Sequence, residues 1–167
     1  NIGSAIAKGL VKSGMTAEKI ILTRRKVEQL VDLQKSGFQT KDDNCSAVEN
    51  SQIILLTVGP SQLMDLLDEI NSHLNEDHLL ISIVSGVTIS EIQSKVDKKI
   101  NIVRAMPNTA AVLCESMTCL SSLGEFDKGL KIAQNLFNDI GQTLVIDEEQ
   151  MASTALCACG VAFFLRA

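Results

Sequence analysis

Three places in this chain carry residue types, at spacings, that packing alone does not call for. The first is Asn1-Ile2-Gly3, which opens a run of small residues, Gly3, Ala5 and Ala7. A glycine at a helix mouth permits close backbone approach, and the first amides and positive dipole end of the helix favour an anion. Gly3 fits the last glycine of a G-x-G-x-x-G fingerprint around a pyrophosphate; the alternative is an ordinary small-residue helix start.

The second place is Thr23-Arg24-Arg25-Lys26, about twenty residues on, where a dinucleotide-binding chain reads the ribose. An acid there accepts ribose hydroxyls, whereas arginines give charge-assisted, bidentate bonds to a 2′-phosphate. With three cations and no acid, the segment selects NADP over NAD if a dinucleotide binds at all. A solvated strand-to-helix turn is the other reading. The third place is a series of loops, Val58-Gly59-Pro60-Ser61, Val84-Ser85-Gly86-Val87-Thr88 and Ala105-Met106-Pro107-Asn108-Thr109. Glycine lets a backbone lie against a flat ring and proline fixes the direction of departure, although any one of these loops is ordinary turn chemistry.

Those loops are informative because of the elements expected before them. Ile2, Ile6, Gly9 and Leu10 recur at helical spacing, with Gly14 as a C-cap. The pattern then predicts a strand at 19–23, an amphipathic helix closed by Gly37, and a strand at 52–58 apolar on both faces. Helices follow at about 61–73 and 88–98, the second opened by a Thr88–Glu91 capping box with Ser90 competing as N-cap. Strands are expected at 79–84, 100–104, near 115–122 and at 142–146, with a helix at about 126–138. The alternation implies an α/β fold, a doubly wound Rossmann-type parallel sheet with helices on both faces. In such sheets ligands bind beyond the carboxyl ends of the strands, where all three loops fall. A nucleotide-binding domain is expected over residues 1–147, and the beginning of a helical domain over 148–167.

Composition excludes other classes. With 46% apolar and 21% charged residues the chain is an ordinary globular one, and its net charge of −5 argues against a nucleic-acid partner. The five cysteines include no C-x-x-C pair, and His73 and His78 share no ligand spacing with them, so no metal is expected. Small thiols in a reducing cytoplasm are the better account. The first fifteen residues lack the charged region of a signal peptide. The apolar stretch beginning at Met151 falls short of the ~20 residues that span a bilayer. With no initiator Met and an end inside a helical pattern, the chain is expected to be a fragment lacking its first strand, and inactive alone.

Residues 82–92 (SIVSGVTISEI), 103–118 (VRAMPNTAAVLCESMT) and 140–156 (IGQTLVIDEEQMASTAL) resemble the delta-1-pyrroline-5-carboxylate reductases. These are NADPH-dependent enzymes of the last step of proline synthesis, and the resemblance runs through the whole chain in order. It implies a cofactor site of Asn1, Ile2, Gly3, Thr23, Arg24, Arg25, Asn44, Val58, Gly59, Pro60, Ser85, Gly86, Met106, Pro107 and Asn108. Asn44 enters on the resemblance alone, and Asn108 falls near the nicotinamide end. The resemblance further implies a cyclic-imine substrate and a homodimer or higher oligomer formed through the C-terminal domain.

The chain departs from the family at Gly59, where a lysine is usual, at Ala110, where a proline is usual, and at Ala158-Cys159-Gly160, where Gly-Ser-Gly is usual. The proton donor and the substrate-carboxylate site belong to the C-terminal domain, so no catalytic residue is assigned. Glu115 and Glu148 read as surface or capping carboxylates. Competing expectations are a hydroxyacid dehydrogenase, disfavoured because 148–165 has no lysine, a non-catalytic NADP sensor, and a scaffold that binds no cofactor.

Overall fold

The computed structural model describes residues 2–124 and 128–154. Seven strands form two sheets. In the smaller, β1 (Ile21–Thr23) pairs in parallel with β2 (Gln39–Lys41). In the larger, β3 (Ile53–Leu56), β4 (Leu79–Ser82), β5 (Asn101–Met106), β6 (Ser116–Ser121) and β7 (Gly141–Val145) lie in sequence order. The α-helices are α1 (Ile2–Lys12), α2 (Val31–Lys35), α3 (Asn44–Glu49), α4 (Pro60–Ile70), α5 (Ile89–Lys95) and α6 (Lys128–Asn138).

Burial follows the expected two-faced pattern. In β4, Leu80 packs with Leu63, Leu67 and Ile92 of α4 and α5, while Leu79 and Ile81 point the other way toward Ile6, Leu10 and Phe137 of α1 and α6. Every residue of β4 is buried, as a central strand covered on both faces requires. A smaller core of Ala7, Leu30, Leu33 and Phe38 joins α1 to the two-stranded sheet. Successive residues of α1 thus serve two sheets: Ile6 and Leu10 face the large one and Ala7 the small one.

Several expectations shift. The helix expected before Gly37 is a 3₁₀ turn, Val27–Leu30, running into the short α2, and Gly37 closes it at φ +92°. The strand expected to stop at Arg104 continues to Met106, because Ala105 and Met106 pair with Leu120 and Cys119. That pairing is antiparallel, so the sheet is not purely parallel. A parallel return needs a crossover of a dozen or more residues. The connection between β5 and β6 holds only the 3₁₀ helix Thr109–Leu113, which packs against α1. A Cβ on Gly9 would collide with the Ala111 carbonyl, so glycine is what lets that turn lie on α1. β2 and α3 have no counterpart in the sequence expectation. Among the described residues β1 pairs only with β2 and β3 only with β4, and residues of both strands line a cleft. The helix expected over 148–165 and the sequence Ala158-Cys159-Gly160 lie largely outside the described residues, which show a 3₁₀ turn at Glu148–Gln150 and helical residues to 154.

Candidate functional site

A cleft of about 1280 Å³ opens between the two sheets at the mouth of α1. Its inner walls are apolar, from Ile21 and Leu22 on one side to Ile53 and Leu55 on the other. Its rim includes Gly3 and Ser4 from α1, Thr23 to Lys26 after β1, Asn44 from α3, Thr57, Val58, Gly59 and Gln62 after β3, and the acids Asp65 and Glu69 of α4.

The rim is built by close approach. A Cβ on Gly3 would lie 2.9 Å from Thr57 Oγ1, so only glycine lets α1 start this near the carboxyl end of β3. Arg24 is anchored by its backbone, whose N–H donates to the Lys41 carbonyl at 3.2 Å. The side chains of Arg24 and Arg25 are exposed and make no hydrogen bond or ion pair with another described residue. Nearby Lys41 differs: its Nζ donates to Ser46 Oγ at 2.7 Å. Asn44 donates its amide to Glu69 Oε1 at 3.1 Å, so it reaches the rim already partnered. The Gly59 N–H donates to Gln62 Oε1 at 3.3 Å, and Pro60 is the first residue of α4, where its missing N–H costs nothing.

The cleft collects Gly3, Thr23, Arg24, Arg25, Asn44, Val58 and Gly59 from the expected site. Ile2 instead packs against the core with Ile6, and Asn1 lies outside the described residues. Ser85, Gly86, Met106, Pro107 and Asn108 follow β4 and β5 and do not line the cleft. Gly86 adopts φ +76°, a turn conformation that favours glycine. Asn108 caps the 3₁₀ helix after β5: its Oδ1 accepts from the Ala110 N–H at 3.1 Å, and its own N–H donates to Ser116 Oγ at 3.3 Å. The Pro-Asn-Thr tip is thus first a helix cap.

Sequence reasoning missed Thr57 and Gln62, the partners of Gly3 and Gly59. Gln62 carried a local signal, a glutamine three residues after a cap position; Thr57 carried none. Nor was it legible that Glu148 pairs with Arg104. Glu148 is a capping carboxylate, but of a helix 59 residues away, accepting the Ile89 N–H at 2.8 Å. Glu115 is exposed. Burial pushes the Cys119 thiol above its usual range, away from thiolate chemistry. Among the described residues no group of three His, Cys, Asp or Glu is placed to hold a metal ion.

A two-faced α/β sheet with a glycine-mouthed helix, flanked by a parallel strand pair with a basic tip at its carboxyl end, defines a Rossmann-type domain. The family described as NADP oxidoreductase, coenzyme F420-dependent, matches residues 1–86, and the chain belongs to it. Pyrroline-5-carboxylate reductase 1 of Dictyostelium discoideum is 42% identical over the whole chain, which covers 33% of that protein. Among solved structures, a pyrroline-5-carboxylate reductase from Coxiella burnetii superposes with a TM-score of 0.89 at 29% identity. The Plasmodium falciparum pyrroline carboxylate reductase with NADP bound gives 0.85 at 25%. Each matches 98% of this chain, and the chain spans 63% and 61% of their respective lengths.

Proposed function

We propose that this chain is the nucleotide-binding part of an NADPH-dependent pyrroline-5-carboxylate reductase. The observation that carries this reading is the placement of Arg24 and Arg25, without side-chain partners among the described residues, on the same cleft rim as Gly3 and its close approach to Thr57. The residues present fit the cofactor: the mouth of α1 suits a pyrophosphate and two unpaired guanidiniums suit a 2′-phosphate. Resemblance to the named reductases along the whole chain supplies the substrate class.

NADPH, when bound, supplies a hydride to the carbon of the C=N bond of 1-pyrroline-5-carboxylate, a proton is added at nitrogen, and the product is proline. The protein's part is alignment. In this reading Gly3, Thr23, Arg24, Arg25, Val58 and Gly59 hold the phosphates and adenosine end. Asn44 joins them through a side chain already oriented by Glu69. Ser85, Gly86, Met106, Pro107 and Asn108 border the nicotinamide from the neighbouring strand ends. The domain boundary falls near Asp147, with the proton donor and substrate-carboxylate groups in the part that follows. A cytoplasmic homo-oligomer agrees with free thiols at Cys45, Cys114 and Cys119 and with exposed Met117 and Leu144 on β6 and β7.

The test is NADPH oxidation by the full-length protein with and without 1-pyrroline-5-carboxylate. Imine-dependent turnover, faster with NADPH than with NADH at limiting cofactor, is the expected result. NADPH binding without turnover would replace the reductase by a cofactor sensor, and no binding would leave only a scaffold.

A further inference from the structure

One carboxylate oxygen joins two of the strand-end loops. Glu148 Oε1 accepts from Arg104 Nη1 at 3.0 Å and from the Ile89 backbone N–H at 2.8 Å. Arg104 lies in β5, two residues before Met106-Pro107-Asn108. Ile89 is the first residue of α5, directly after Ser85-Gly86-Val87-Thr88. Both side chains are largely shielded, Arg104 13% and Glu148 19% exposed. The carboxylate comes from neither loop. It belongs to the turn after β7, and the adjacent Met151 is buried.

The second loop is also tied to β6, through the pairing of Ala105 and Met106 and the bond from the Asn108 N–H to Ser116 Oγ, and the remaining attachments are local. The Val84 N–H donates to Ser82 Oγ at 3.3 Å, Thr88 and Glu91 close a capping box, and Asn108 caps its own turn. The β4–β5 ladder aligns the two strands as far as Ser82 opposite Arg104; beyond it none of those bonds joins one loop to the other, and the Arg104–Glu148–Ile89 junction does. Arg104 also helps hold the Glu91 carboxyl below its usual range, after the larger contributions of the Thr88 N–H and hydroxyl. The guanidinium thus stands near two carboxylates that both bind the start of α5. Breaking a shielded pair from one side leaves the other charge uncompensated, so the geometry is held in both directions.

We propose that Arg104 and Glu148 are positioning residues that set the 84–88 and 105–109 loops in mutual register, and so determine how the nicotinamide end of the cofactor is seated. This rests on the cofactor reading above. It assigns the pair no contact with cofactor or substrate, and no part in holding the adenosine end.

The test uses the full-length protein with Glu148→Ala, Glu148→Gln and Arg104→Lys. Calorimetry compares NADPH with 2′,5′-ADP, which keeps the 2′-phosphate and adenosine but lacks the nicotinamide. Glu148→Ala is expected to leave 2′,5′-ADP affinity within about two-fold while weakening NADPH and lowering kcat by about ten-fold or more, as a small misplacement of reacting groups does. Glu148→Gln retains an oxygen for the Ile89 N–H and Arg104→Lys retains the charge, so both should fall between wild type and Glu148→Ala. Equal weakening of both ligands would mean general loosening and would overturn the proposal, as would unchanged NADPH affinity and kcat in the folded variants. If Glu148→Ala does not fold, the two conservative variants carry the same comparison. Absence of imine turnover in the wild type would remove the proposed reaction, yet the binding comparison would still read the loop register.

Discussion

The cleft rim and the neighbouring strand-end loops are built in opposite ways. On the cleft rim the tip of β1 presents Arg24 and Arg25 with no side-chain partner among the described residues, on a two-stranded sheet whose own buried core is four residues. In the loops beyond β4 and β5, by contrast, several charged and polar groups are already paired: Arg104 with Glu148, Thr88 with Glu91, Asn108 with its own helix turn. A group meant to bind a doubly charged phosphate gains most when nothing in the protein competes for it. Loops meant to border a flat ring gain most from being fixed in advance. In the proposed reading, unpaired charge lies where recognition is electrostatic and internal bonds lie where recognition is geometric.

The comparison can be broken first through the cores. In the full-length protein, Phe137→Ala, in the large core, should cost about 3–5 kcal/mol and lower the thermal midpoint of the whole domain. Leu33→Ala, in the small core, should cost less, nearer ~2 kcal/mol, with faster amide exchange confined to residues 21–23 and 39–41. Equal global losses would show that the two sheets unfold as one unit.

The arginines sharpen it next. Arg24→Ala with Arg25→Ala should weaken NADPH by roughly 1.5–3 kcal/mol at low salt, less at high salt, and leave the thermal midpoint unchanged. Arg104→Ala should do the reverse for stability, lowering the midpoint because it strands Glu148. A midpoint drop in the Arg24/Arg25 variant would mean those side chains have a structural role.

The smallest effect is at the cap of α5. Thr88→Ala should cost about 1 kcal/mol in denaturant titration. The Glu91 carboxyl lies below its ordinary value of 4.5, first because of the Thr88 N–H and then its hydroxyl. Its stabilising contribution is therefore complete above pH 4.5, declines as pH falls, and is lost below the depressed folded value. Glu91→Gln keeps an acceptor oxygen without the titration, so the stability difference between it and wild type should be constant above that window and change within it. A difference independent of pH would separate Glu91 from the acid response of the loop.

How much was legible follows from distance along the chain. Gly14, Gly37 and the Thr88–Glu91 box were readable because each acts within a few residues of itself. β2 escaped notice because it has three residues and no apolar alternation, and becomes a strand only by pairing with β1. Gly3 and Arg24 had local signals in their spacing; their partners had none. The direction of β6 depends on the shortness of the connection after Met106.

By itself, the sequence determined what local physics can determine: which segments bury apolar faces at period 2 or 3.6, where glycine ends a helix, and that a basic tip follows the strand ending at Thr23. The tertiary structure alone decided which groups meet. It placed Thr57 against Gly3, left Arg24 and Arg25 at the cleft rim unpaired among the described residues, and brought Glu148 to Arg104 across 44 residues of chain. Those are contacts between elements, set by how α1, β3, α5 and the turn after β7 pack around one sheet. No spacing in the chain encodes a distance that only packing creates.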